Sequence, residues 1–277
     1  PPVNEPPELI EEIRQTTIKL TRALGVVGLM NVQYAVKGGR VFVLEVNPRG
    51  SRTVPFVSKA VGTPLAKIGA LAAAGKRLSE LGVQERQPSL VAVKVPVFPF
   101  MKFKEADTIL SPEMRSTGEV MGLAENFGDA FKLGLEAADI HLPQEGLVFV
   151  SVRDGDKEAV KPVLDRLHAL GFKFIATRGT SRAIRARGYE CEPVNKVKEG
   201  RPHIVDRLVN GDVVMVINTT VGAQSIKDSF SIRRTVLTRR IPHFTTIFGA
   251  MAAVSAIEAA RSGASIEKAI SLQECHQ

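Results

Sequence analysis

The feature that most constrains this chain is a series of short apolar segments, Leu147–Val152, Phe172–Ala176 and Asp212–Ile217, separated by stretches with helical spacing. A strand that is apolar throughout has to be covered on both faces. Strands of that kind alternating with helices imply parallel strand–helix–strand units. Helices are expected over 156–170, from Ser181, over 202–210, near 222–230 and over 249–262. Weaker strands are expected over Glu190–Val194 and near either 235–238 or 243–247. The pattern begins after Leu142-Pro143-Gln144-Glu145-Gly146, so two domains are expected, 1–141 and 142–277. The fold class is α/β, with a doubly wound parallel sheet as its second part.

The first part reads differently. Leu9, Ile10, Ile13, Thr17, Leu20 and Leu24 predict an amphipathic helix over 8–24. Residues 30–36 and 41–47 alternate as strands around Lys37-Gly38-Gly39-Arg40, and two short helices follow. Val91–Val97 reads as a strand, with Pro96 confining it to an edge. Residues 98–118 read as a loop and 128–138 as a helix. The 44% hydrophobic and 24% charged composition is that of a globular chain.

No run of eighteen apolar residues is present, and Pro1-Pro2-Val3-Asn4-Glu5-Pro6-Pro7 lacks the marks of a signal peptide, so a cytoplasmic protein is expected. Two cysteines, Cys191 and Cys275, make no disulfide framework and suggest a reducing compartment. Neither CxxC nor HExxH occurs, which argues against structural zinc. His141, His168, His203 and His276 have no neighbouring partner suited to nucleophilic catalysis. The formal net charge of +8 points to anionic partners. With only 5% aromatic residues and no Trp, nucleic acid is the weaker reading and small phosphorylated ligands the stronger. Arg233-Arg234 and Arg239-Arg240 are read as solvated helix ends.

Two groups of residues carry chemistry. Glu45 and Asn47 lie two apart on a strand and so share a face. Val32, Tyr34 and Val36 must face the same core as Phe42, Leu44 and Val46. Directly paired residues share a face, so a two-residue Gly38-Gly39 turn, pairing Lys37 with Arg40, conflicts with that parity. An odd-length loop with a bulge satisfies it, and Gln33 then joins Glu45 and Asn47. Such oxygen donors suit Mg²⁺, and Arg49 and Arg52 could hold phosphate. An edge hairpin with a solvated polar face is the alternative.

The second group lies after the strands of the sheet: Ser151-Val152-Arg153-Asp154-Gly155-Asp156-Lys157, Thr177-Arg178-Gly179-Thr180-Ser181, Asn195-Lys196 and Asn218-Thr219-Thr220-Val221-Gly222. Ligands of open parallel sheets bind beyond the carboxyl ends of the strands, and helix N-termini there favour anions. These residues form a phosphate cradle with no carboxylate nucleophile. Taken singly, each is as readily a cap or a turn.

Gly28-Leu29-Met30-Asn31-Val32-Gln33 followed by Glu45-Val46-Asn47-Pro48-Arg49-Gly50-Ser51-Arg52-Thr53 resembles the ATP-grasp core of carbamoyl-phosphate synthase large chains. Pro55-Phe56-Val57-Ser58-Lys59 and Pro112-Glu113-Met114-Arg115-Ser116-Thr117-Gly118-Glu119-Val120-Met121-Gly122 extend the resemblance. It implies a partial ATP-grasp α+β module. Gln33, Glu45 and Asn47 would be Mg²⁺ or Mn²⁺ ligands at ATP, and Arg49 and Arg52 would hold the transferring phosphate. Glu199-Gly200-Arg201-Pro202-His203-Ile204 and Ile217-Asn218-Thr219-Thr220 resemble the methylglyoxal-synthase-like regulatory domain of that family. This implies that Lys157, Thr177, Thr180, Lys196, Asn218 and Thr220 bind an effector nucleotide, with UMP as inhibitor and IMP as activator.

Ala223 and Gln224 replace basic residues of some members, which suggests a weaker grip. Val95 and Phe244 stand where the family carries acids for the activator ornithine, with Thr245 retained, so no ornithine activation is expected.

The implied function is the C-terminal portion of a large chain that makes carbamoyl phosphate from bicarbonate, glutamine-derived ammonia and ATP. It serves arginine and pyrimidine biosynthesis with a glutaminase small chain as partner, within an oligomer, without nucleic acid or membrane. A stand-alone nucleotide sensor is the alternative. Methylglyoxal synthase chemistry would require a carboxylate base that Asn218-Thr219-Thr220 lacks.

Overall fold

The computed structural model describes residues 5–102, 107–110, 115–219, 226–227, 229–263, 271 and 273–274. The chain divides into two compact units, one built on residues up to Ala92 and the other on residues from Val93.

In the first unit, α1 (Pro7–Ala23) starts with proline, whose missing N–H is no loss in a first turn. Its Thr17 hydroxyl shares a 2.7 Å hydrogen bond with the Tyr34 hydroxyl, which ties the helix to the hairpin of β1 (Asn31–Lys37) and β2 (Arg40–Asn47). The two-residue turn does form: Lys37 pairs with Arg40. Gly38 and Gly39 both have positive φ, 57° and 72°, as a mirror-image hairpin turn requires and glycine readily supplies. Parity is restored within the strands, where a register shift between Gln33 and Tyr34 brings Gln33 opposite Glu45. The odd-length loop is therefore corrected to an even one with an interior bulge. Leu44 is 64% exposed, so it does not share a core with Val46 within this unit. Helices α2 (Thr53–Val61) and α3 (Leu65–Ala73) follow, the first ending at left-handed Gly62.

The second unit begins with β3 (Val91–Val97) and β4 (Gly118–Ala124), which form a two-stranded sheet. The Thr117 N–H donates to the Val97 carbonyl and Lys94 pairs with Glu119, so the strands run in opposite senses. The sequence reading assigns no element to β4. Helix α4 (Phe127–Ala137) lies so close over it that a Cβ on Gly122 would stand 1.8 Å from the Ala130 carbonyl oxygen.

A five-stranded parallel sheet carries the rest. Its strands are β5 (Leu147–Val152), β6 (Lys173–Thr177), β7 (Cys191–Val194), β8 (Val213–Thr219) and β9 (His243–Phe244), in the order β7-β6-β5-β8-β9. The helices are α5 (Lys161–Ala169), α6 (Arg178–Arg185), α7 (Ile204–Asn210), α8 (Phe230–Thr238) and α9 (Ile247–Arg261). Successive residues of β5 face opposite ways: Val148 and Val150 pack with α5 and α9, while Phe149 packs with α7 and α8. Both faces are covered, as the continuous apolar runs demand. α4 packs in turn on α9, where a Cβ on Gly128 would lie 2.6 Å from the Ser255 carbonyl. The compact units thus part at Ala92, upstream of the change of pattern at 142.

Some expectations change. Residues 235–238 are helical, and the edge strand is His243–Phe244. Most of the helix expected near 222–230 lies outside the described residues, as do Cys275 and His276. Arg233 is not solvated. It is 3% exposed and holds Asp107 through two hydrogen bonds of 2.7 and 2.6 Å. Helical spacing from Ile232 and Val236 turns it inward, where the carboxylate makes its burial possible. Burial alone would raise the Asp107 pKa, but the hydrogen bonds and charge of Arg233 hold it below the ordinary value.

Candidate nucleotide sites

On the hairpin, Asn31 opposes Asn47 and Gln33 opposes Glu45, so the four side chains share one face. Glu45 Oε1 accepts from Gln33 Nε2 at 3.0 Å and from Asn47 Nδ2 at 2.6 Å. The Arg49 guanidinium donates to Asn47 Oδ1 at 3.3 Å and to the Gly50 carbonyl at 3.0 Å. Arg52 stands at the N-cap of α2. The structure therefore brings Gln33, Glu45, Asn47 and Arg49 together and adds Asn31, which the sequence reading omitted. Among the described residues no cluster of three or more His, Cys, Asp or Glu could hold a metal. A cation here would rest on amide and ligand oxygens beside one carboxylate.

In the sheet, β5 lies between β6 and β8, and the order of the strands reverses there. The crevice beyond the carboxyl ends of β5 and β8 is the expected ligand site of such a sheet. Ser151 is paired with Asn218 and Val152 with Thr219 across this point. The Ser151 and Thr177 hydroxyls are 3.4 Å apart, and Thr177 Oγ1 lies 3.3 Å from Thr180 Oγ1. Thr180 is buried and its hydroxyl meets the Val152 backbone, accepting from N–H at 3.3 Å. It serves strand-end geometry as much as any ligand. Asn218 is 3% exposed. Thr220 lies outside the described residues.

Lys157 projects toward the start of α6, its Nζ 3.8 Å from where a Cβ on Gly179 would stand. Lys196 opens the short turn Val197–Glu199, its N–H donating to Glu199 Oε2 at 2.9 Å. Three further residues belong here. Arg178 donates to Asn195 Oδ1 at 2.9 Å, across the edge from α6 to β7. Asp156 is held by Arg153 at 2.8 Å, and the hydrogen bonds from Arg153 and Thr219 keep its pKa low. Asp154 Oδ1 is 2.7 Å from Lys157 Nζ. The cradle thus contains two carboxylates, each paired with a neighbouring cation. The i, i+3 spacing of Asp154 and Lys157 was the available signal.

His203 caps α7, its Nδ1 accepting from the Asp206 N–H at 3.4 Å while its own backbone N–H donates to Asp206 Oδ2 at 2.9 Å. His168 is at the surface beside Tyr189, with 4.9 Å between ring centroids.

Comparison with known proteins gives this geometry its context. Residues 5–81 match the model of the carbamoyl-phosphate synthase L chain, ATP binding domain, and residues 159–245 that of the MGS-like domain. The chain is 52% identical over 259 residues to the carbamoyl phosphate synthase large chain of Myxococcus xanthus, covering 93% of this chain and 24% of that one. It is 53% identical over 260 residues to that of Pseudomonas aeruginosa, covering 93% and 24%. For Xanthomonas axonopodis the identity is 50% over 283 residues, covering 100% and 26%. The chain belongs to the carbamoyl-phosphate synthase large-chain family. It spans about a quarter of the length of these relatives. The hairpin lies within the ATP-binding match, and the strand-end crevice lies largely within the MGS-like match. No helix among the described residues is long and apolar enough to cross a membrane.

Proposed function

We propose that this chain supplies part of an ATP site and a nucleotide-responsive domain to a glutamine-dependent carbamoyl-phosphate synthase in arginine and pyrimidine biosynthesis. The domains are 1–141 and 142–277. The observation that carries this reading is the gathering of the Gln33 and Asn47 amides on the single Glu45 carboxylate.

That donor set fits Mg²⁺ or Mn²⁺. One carboxylate and two amides on a paired strand leave room for the water and phosphate oxygens such ions keep. Turning either amide presents its oxygen, and the cation would offset charge on the phosphates of ATP. The rest is positioning. In phosphoryl transfer the bond from the γ-phosphorus to ADP breaks as the bond to a carbamate oxygen forms. Arg49, whose guanidinium is already directed by Asn47 and Gly50, holds the phosphoryl oxygens in line, and Arg52 joins it. Neither residue moves a proton.

In the second domain Lys157, Thr177, Lys196, Asn218 and Thr220 bind a nucleoside monophosphate, UMP as inhibitor and IMP as activator, with Thr180 bracing Thr177. The glutaminase small chain and an oligomeric, cytoplasmic enzyme complete the reading. Calorimetric titration of UMP and IMP tests the sensing half. Lys196→Ala should weaken both by about tenfold or more, the loss of one charge-assisted contact. Unchanged affinity would make Lys196 a solvated surface residue. For the catalytic half, Glu45→Gln in the complete enzyme should abolish carbamoyl phosphate formation while UMP binding persists.

A further inference from the structure

Lys157 reaches toward Gly179 in the first turn of α6, the segment that also carries Thr177 and Thr180, where a ligand phosphate would lie. Its ammonium is already engaged: Asp154 Oδ1 is 2.7 Å away. Lys157 is the more enclosed partner, with 28% of its side chain exposed against 95% for Asp154. Nothing packs the aspartate in place, and it can swing away without disturbing the fold. The hydrogen bond and charge of Lys157, with a smaller contribution from Lys196, hold the Asp154 carboxyl below its ordinary pKa. One carboxylate thus feels both of the cations assigned to the ligand.

We propose that Asp154 is an internal counter-anion of the nucleotide site, occupying Lys157 until a phosphomonoester dianion displaces it, and so setting the affinity of the site. This rests on the reading of the crevice as a phosphate site. Asp156, two residues on, cannot take the role, because Arg153 and Thr219 hold it. Three consequences follow from Coulomb's law. Removing the resident charge tightens phosphate binding. The gain is larger for a dianion than for a monoanion, since the repulsion relieved scales with ligand charge. The affinity of the variant also falls more steeply with salt, because its cations start unpaired.

Calorimetric titration of the 277-residue chain with UMP and with inorganic phosphate tests this. Asp154→Asn and Asp154→Ala should each bind UMP about five- to twentyfold more tightly at low salt. Asp154→Glu should remain close to the unmodified chain. Both neutral variants should melt at or slightly below its temperature without ligand, separating the effect from a general stabilisation. Lys157→Ala is the control. If Lys157→Ala weakens binding while Asp154→Asn and Asp154→Ala bind equally or more weakly than the unmodified chain, the counter-anion is refuted and the phosphate site stands. If the unmodified chain and Lys157→Ala bind UMP and phosphate identically, or not at all, both readings fall together.

Discussion

Single residues here depart most from what sequence pattern suggests. His243 begins the edge strand β9, and its Nε2 is enclosed without a hydrogen-bond partner, although the residue as a whole keeps some surface. Burial, aided by the charge of Arg233, lowers its pKa from 6.5 to about 4. Between those values the unfolded chain binds the proton and the folded chain does not. Folding stability should therefore be fully present above pH 6.5 and fall as the pH drops toward about 4. The amount is roughly 3 kcal/mol. Urea unfolding at pH 7 and pH 4.5 checks it, and His243→Phe should flatten the difference. An equal pH dependence in both proteins would remove His243 as its source. Val95 and Phe244 make a second case. Val95 is 7% exposed and lies against Gly134, and Phe244 packs on the main core, so neither can pair an ammonium group. Glu105, the neighbouring acid that would have to take over their role, lies outside the described residues. Ornithine should leave the complete enzyme unactivated until Val95→Glu and Phe244→Asp are introduced together. Strong activation of the unmodified enzyme would contradict this.

Among the elements, β4 departs most from what pattern suggests, whereas α4 forms within a residue of the helix expected over 128–138. The strand Gly118–Ala124 has small residues where apolar bulk would have announced it, and the structure gives the reason. Gly122 lies directly beneath α4, where a Cβ would meet the Ala130 carbonyl at 1.8 Å and the Gly134 nitrogen at 2.5 Å. Neither is the mobile end of a side chain, so the helix itself would have to shift. Gly122→Ala should destabilise the second unit by about 1–3 kcal/mol, the range for overpacking. Gly155→Ala, with nothing within 4 Å, should be nearly silent. Comparing their urea midpoints decides the matter. The hairpin shows the converse. Its glycine pair was legible, but the parity argument placed the irregularity in the loop. A glycine pair adopts positive φ at little cost, so the tight turn forms and the bulge falls inside the ladder.

At the scale of the whole molecule, this chain by itself should not turn over ATP, because its match to the ATP-binding model covers only residues 5–81 and its relatives are about four times longer. Phosphoryl transfer needs a closed, water-poor site around the metal–nucleotide complex as well as its ligands. Steady bicarbonate-dependent ATP hydrolysis by the 277-residue chain, lost in Glu45→Gln, would overturn this expectation. What the sequence by itself determined is what depends on local periodicity and on motif: the parallel sheet, its first four strands, and the shared face of Glu45 and Asn47. Apolar runs and i, i+2 spacing set these without reference to distant residues. Tertiary structure alone decided the strand order that places Ser151 beside Asn218, the burial of Arg233 on Asp107, and the close seat of α4 on β4 and α9. Each of these joins residues far apart in the chain, and their energies depend on how completely water is excluded once those residues meet.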